Sequence, residues 1–224
     1  MSRLDLLVGP NGAGKTTVYE YLIAPDRPGL PFVNADRIAS SRFPGQESKQ
    51  AYAAARIAVT ARDALIAARL DFCTETVFSH VSKVDLVLAA VAAGYDVVLQ
   101  VVMIPLVLSA PRVAARVAAG GHDVPTDKLG MRYARLWPHV VTALPHCHQA
   151  IFYDNSRDDG PLEVAAYRRA IPDYGPRWPR WTPDAALTLR PVRDAVVRPR
   201  PPCRRRPRPG RRRRRTPASW RRRH

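Results

Sequence analysis

Eight residues near the N-terminus, Gly9-Pro10-Asn11-Gly12-Ala13-Gly14-Lys15-Thr16, fit the pattern G-x-x-x-x-G-K-[ST] completely. The chemistry this arrangement serves is the holding of a polyphosphate. Gly9, Gly12 and Gly14 leave the backbone free to turn tightly and to aim N–H groups at phosphate oxygens. Lys15 supplies a mobile charge to the β- and γ-phosphates, and Thr16 offers a hydroxyl to Mg²⁺. Thr16 and Thr17 open a helix whose N-terminal dipole favours the anion. An apolar run precedes the loop and a helical segment follows it, which is the context the motif requires. The segment Gly9–Thr17 is therefore read as binding ATP or GTP.

A phosphate loop does not name an acceptor, and three further segments bear on that. Asn34-Ala35-Asp36 ends a second strand and puts Asp36 at a carboxyl edge near the γ-phosphate, where it could take a proton from an acceptor hydroxyl. Glu75-Thr76 ends a third strand at the same edge, where it could bind substrate hydroxyls or help position Mg²⁺. The competing reading of either acid is a solvated loop carboxylate or a helix N-cap. Arg112, Arg116 and Arg132 flank Gly120-Gly121-His122-Asp123-Val124-Pro125. Arginines on a segment hinged at a glycine pair are a usual way to neutralise a transferring phosphoryl group. Arginines on a solvated helix face are the alternative.

These residues need a scaffold, and the hydrophobic pattern supplies one. Strand-length apolar runs at Leu4–Val8, Pro31–Asn34, Asp71–Glu75, Asp96–Ile104 and Ala150–Tyr153 alternate with helix-like stretches. The helical stretches are Thr16–Ile23, Glu47–Leu70, a segment opened by Ser82 and Asp85 as a capping-box variant and closed at Gly94, Ser109–Ala119, and Pro125 to about Leu144. In the second of these, Ala51, Ala55, Ala58, Arg62 and Leu65 fall at helical spacing. Such alternation predicts βαβ crossovers and a mostly parallel five-stranded sheet, with ligands bound at the carboxyl ends of its strands. The pattern weakens after residue 156. The expected organisation is a folded domain over 1–160, a Pro- and Trp-rich appendage over 161–197, and a disordered Arg/Pro-rich tail over 198–224.

The formal net charge of +17 divides unevenly. Residues 198–224 hold 14 arginines and no acid, whereas residues 1–197 hold 22 basic and 19 acidic groups. Nucleic-acid binding driven by the tail is a separate class of function, and such binding would be steeply salt-dependent. Three cysteines without short spacing support neither a disulfide framework nor a Cys-based zinc site. His146-Cys147-His148 reads as an ordinary loop. The short run Leu4–Val8 lacks the h-region of a secretory leader, and no apolar stretch reaches the roughly 20 residues of a membrane span. A cytoplasmic protein is the expectation.

Taken in order, Gly9–Thr17, Asn34-Ala35-Asp36, Glu75-Thr76-Val77-Phe78-Ser79, the Arg112–Arg116 helix, residues 120–125, Arg132-Tyr133 and Tyr153-Asp154-Asn155-Ser156 resemble the zeta-toxin family, in particular its chromosomal branch. The resemblance covers about residues 3–156. It implies an α/β P-loop kinase fold of three αβα layers with a helical lid. It also implies ATP- and Mg²⁺-dependent phosphorylation of a hydroxyl, which in the toxins belongs to UDP-N-acetylglucosamine. By position, the resemblance makes Asp36 the general base, and gives Lys15 and Thr16 the phosphate and metal contacts. Glu75 is then an acid on the substrate side, and Arg116 and Arg132 are the transition-state arginines, with Arg112 a further candidate. The usual partner in this family is a separate antitoxin protein. A kinase for a nucleoside or polynucleotide end, or an ATPase, are the alternative enzymes.

Overall fold

The computed structural model describes residues 1–119 and 125–189. The glycine-pair hinge expected at residues 120–121 and the arginine-rich tail at 198–224 lie outside the described residues. The chain opens with β1 (Arg3–Val8), then α1 (Lys15–Val18), which runs into a π-helical turn at Tyr19–Ile23. Next come β2 (Phe32–Val33), α2 (Ala35–Arg42), α3 (Ala51–Ala67), β3 (Phe72–Thr76) and α4 (Ser82–Ala92). The second half holds β4 (Asp96–Met103), α5 (Ser109–Ala118), α6 (Thr126–Ala143), β5 (Gln149–Asp154), β6 (Leu162–Arg168), β7 (Ile171–Pro172) and the short α7 (Asp184–Leu187).

The strands form one sheet in the order β2-β3-β1-β4-β5-β6-β7. The first five are parallel, so their carboxyl ends, and the loops that follow them, gather at one edge. Side chains alternate across the sheet. On one face Leu4, Leu6 and Val8 pack with Val97, Leu99, Val101 and buried residues of α3, α4 and α6. On the other, Leu7 and Val102 meet Val18, Tyr19 and Ile23 from α1 and its π turn. These are the three layers of a P-loop kinase-like fold.

Three sequence expectations are corrected. The sheet has seven strands, because the segment after residue 160 adds β6 antiparallel to β5 and β7 antiparallel to β6. The strand pattern of Leu162–Arg168 lacks a polar alternation that would mark it, since Val164, Ala165, Ala166 and Tyr167 are all buried. Trp178 of the same segment packs on this core and meets Phe152 edge-on at 5.2 Å. Second, Asn34 does not simply end a strand: its Oδ1 accepts from the N–H groups of Asp36 and Arg37, at 2.8 and 3.1 Å, and starts α2. Third, Ser82 does not cap α4; its hydroxyl is paired with His80 Nδ1 at 2.9 Å.

One polar cluster is locked into the sheet. Asp5, fully buried, accepts from Arg3 Nε and Nη2 (3.0 and 2.7 Å), from Gln100 Nε2 (2.9 Å) and from Arg27 Nη1. Arg27 also reaches Asp71 and so ties the turn before β2 to the start of β3. Removing one partner of a buried ion pair strands the others. Asp5→Ala is expected to lower the unfolding free energy by about 3 kcal/mol, read from urea denaturation; a loss near zero would mean that water replaces the carboxylate without cost.

Candidate active site

The loop between β1 and α1 is held against β4, α5 and the end of β5 with almost no spare room. A Cβ on Gly9 would lie 2.3 Å from the Val102 carbonyl oxygen, which is backbone and cannot yield. A Cβ on Gly12, at φ +76°, would lie 3.0 Å from both Arg112 Cβ and the Ser109 carbonyl oxygen. Gly14, at φ +82°, would drive a Cβ to 2.6 Å from Asn155 Nδ2. Two side chains fasten the loop. Asn155 Nδ2 donates to the Ala13 carbonyl at 2.8 Å, and Ser109 Oγ donates to the Asn11 carbonyl at 2.5 Å. Such clamping leaves the N–H groups of the loop pre-oriented for phosphate oxygens.

Lys15 is buried, and its Nζ donates to the carbonyls of Gly9 and Pro10 at 3.2 Å each. Burial lowers its pKa from the ordinary lysine value, while the neighbouring carboxylates of Glu75 and Asp36 pull it back up. Glu75 Oε1 lies 3.7 Å from that ammonium. The other oxygen, Oε2, accepts from Thr16 Oγ1 at 2.7 Å and from Asn34 Nδ2 at 2.9 Å. Glu75 thus joins the phosphate loop to the start of α2 and is not a solvated loop acid. Thr16 Oγ1 and the Glu75 carboxylate form a pair of hard oxygen donors beside the loop, and this fits Mg²⁺, which is usually held by one or two protein oxygens plus phosphates. Among the described residues no cluster of three or more His, Cys, Asp or Glu side chains suits a metal ion, so a cage built by protein alone is not present there.

Asp36 sits in the first turn of α2, half exposed, with Arg116 Nη1 3.6 Å from its carboxylate. The helix cap is Asn34, which leaves the Asp36 side chain available at the rim of a cavity of about 340 Å³. Lys15, Asp36, Glu75, Thr76, Arg116 and Arg132 all line this cavity. Arg112 is not brought there. Its guanidinium donates to the carbonyls of Asn155 (2.8 Å) and Ser156 (3.4 Å), tying α5 to the end of β5. Thr17 is exposed and lies outside the lining, as do Pro10 and Ala13, which contribute backbone to the loop. Thr76 Oγ1 accepts from the Phe78 N–H at 3.2 Å and supports the left-handed backbone of buried Phe78, at φ +65°.

The cavity also holds residues that the sequence reading passed over: Arg62 from α3, Lys83 from α4, and His80 between β3 and α4. For Arg62 the signal was present as a charge inside an apolar helical stripe. For Asn155 it was an amide directly after a strand whose end meets the loop.

A P-loop of this form at the carboxyl edge of a parallel sheet, under helices on both faces, defines a P-loop kinase-like protein. The chain belongs to the AAA domain family, whose model matches residues 4–136. No curated protein matches the chain in sequence. Among solved structures, the chain is similar to a chain of the native AvrRxo1-ORF1:ORF2 complex, with 17% identity and a TM-score of 0.62 over 77% of this chain and 60% of that one. The same complex with ATP gives a TM-score of 0.58 at 17% identity, over 74% of this chain and 58% of the other. A chain of the PezAT chromosomal toxin–antitoxin system of Streptococcus pneumoniae gives 0.52 at 15% identity, covering 69% of this chain and 68% of that one. The chain therefore spans about 60% of the AvrRxo1 chain it matches, and these likenesses establish the fold. No described helix is long and apolar enough to cross a membrane.

The loop geometry separates two glycines experimentally. Gly9→Ala is expected to melt well below Gly14→Ala, because the first clash is with a backbone carbonyl and the second with a side-chain amide. Thermal denaturation of both variants tests this; equal losses would mean that the β1–β4 contact relaxes.

Proposed function

We propose that the protein is an ATP- and Mg²⁺-dependent phosphotransferase of the zeta-toxin type, moving the γ-phosphoryl group to a hydroxyl of a small molecule. The observation that carries this reading is the meeting of Lys15, Asp36, Glu75, Arg116 and Arg132 on one cavity beside the phosphate loop. The acceptor favoured is the sugar hydroxyl of a UDP-N-acetylsugar, on the strength of the ordered family motifs. A cytoplasmic location and a protein antitoxin belong to the same proposal, and the PezAT likeness supports the second.

Each side chain has a task. The loop N–H groups and Lys15 orient the β- and γ-phosphates, and Lys15 exchanges its loop carbonyls for phosphate oxygens. Thr16 and Glu75 would hold Mg²⁺, which would supply neutralising charge to the phosphates. The acceptor hydroxyl gives its proton to Asp36 as its oxygen forms a bond to Pγ. The Pγ–O bond to the β-phosphate breaks, and ADP leaves with that electron pair. Arg116 and Arg132 face the equatorial oxygens, where negative charge spreads in the transition state. Asn34 positions both acids, since one side chain caps the helix of Asp36 and donates to Glu75.

Labelled ATP, Mg²⁺ and a panel of sugar nucleotides, nucleosides and RNA ends would identify the acceptor. Asp36→Asn is expected to cut phosphoryl transfer by about 10²- to 10⁴-fold with nucleotide affinity nearly unchanged. Lys15→Met should instead abolish nucleotide binding. No labelled acceptor, together with unchanged ATP turnover in Asp36→Asn, would end the kinase reading.

A further inference from the structure

The lining of the active-site cavity carries more positive charge than the transfer reaction uses. Among the described residues its cations are Lys15, Arg62, Lys83, Arg116 and Arg132, and its acids are Asp36 and Glu75. The cations fall into two electrostatic groups. Lys15 responds to Glu75, Asp36 and Arg116, whereas the charge acting on Lys83 is that of Arg62.

Arg62 is the unusual member. Its relative exposure is 7%, and among the described residues it donates no hydrogen bond and forms no ion pair. The carboxylate whose field reaches it is Asp63, the next residue on the exposed side of α3. Ala55, Ala58 and Arg62 recur at i, i+3 and i+7 on the cavity side of α3, so two small side chains leave space in front of the guanidinium. Lys83 lines the same cavity, half-buried in the first turn of α4, a position where the helix dipole disfavours a cation. Two like charges that line one cavity, one on a largely buried side chain without an ion pair among the described residues, destabilise the empty protein, and an anion between them relieves that.

We infer that Arg62 and Lys83 form a binding site for an anionic group, a phosphate or a carboxylate, carried by the acceptor substrate on the α3–α4 side of the cavity. Calling the occupant the acceptor rests on the phosphotransferase reading; the anion site itself does not. Arg62 presents a planar fork suited to two oxygens of one group, and Lys83 adds a point charge. The substrate is then held at two ends, its hydroxyl at Asp36 and its anion at Arg62, which fixes the reacting oxygen in line with the phosphate loop.

The test uses the full chain with its loop filled by Mg²⁺ and a non-hydrolysable ATP analogue. Inorganic phosphate and acetate are titrated separately by calorimetry, which tells a phosphate site from a carboxylate site. Saturable binding of one anion is expected, weakened about tenfold or more by Arg62→Met and by Lys83→Gln and partly restored in Arg62→Lys, as befits a charge-assisted hydrogen bond. Without anion, Arg62→Met should melt above the native protein, because a desolvated charge has been replaced by an apolar chain of similar length. No saturable anion binding, affinity unchanged in both variants, or a lower melting temperature for Arg62→Met would overturn the proposal. Failed phosphoryl transfer with Arg62-dependent anion binding intact would remove the kinase reading and keep the site. Transfer without such binding would do the reverse.

Discussion

A buried ammonium must be compensated, and much of the active site follows from how this is done for Lys15. Its own loop supplies two carbonyls and β3 supplies Glu75. Glu75 can hold that place only because Thr16 and Asn34 bind its second oxygen. Asn34 in turn starts α2 and so fixes where Asp36 stands. Three segments distant in sequence are linked through one carboxylate.

The phosphate loop was legible from residues 9–16 because its glycines answer to a local geometric demand, and the structure shows what they yield to: Val102, Arg112, Ser109 and Asn155. The five parallel strands were legible as well, since strands buried on both faces write themselves as apolar runs. The antiparallel strands β6 and β7 were not, because their pairing depends on Phe152 and Tyr167 meeting across the sheet and not on any local pattern. Helix α2 was hidden for another reason. Its eight residues, ADRIASSR, have little amphipathic contrast, and the Asn34 cap was the visible signal.

Arginines show where residue type stops being informative. Arg112 and Arg116 are one helical turn apart, yet the first fastens α5 to the β5 terminus while the second faces Asp36. Four residues on a helix bring two side chains to one face but leave each to find its own partner. Arg62 looked like an interruption of an apolar stripe and lines the cavity. The overall charge of +17 had no bearing on any of these placements; a single buried guanidinium says more about substrate chemistry than the tail's many.

The strand order has a consequence for the timing of synthesis. β1 is made first but is central to the parallel sheet, and its neighbours are β3 and β4. Val8 pairs with Thr76 and Val101, so no partner exists until long after the strand has emerged. At roughly 5–20 residues per second, the apolar segment Leu4–Val8 waits about 5–20 s for β4 to arrive. During that interval the edge of β1 that β4 will cover is unpaired, and the Val102, Ser109 and Asn155 contacts that clamp the phosphate loop are not yet made. The part of the molecule that is read most easily from sequence is thus among the last to become a structure.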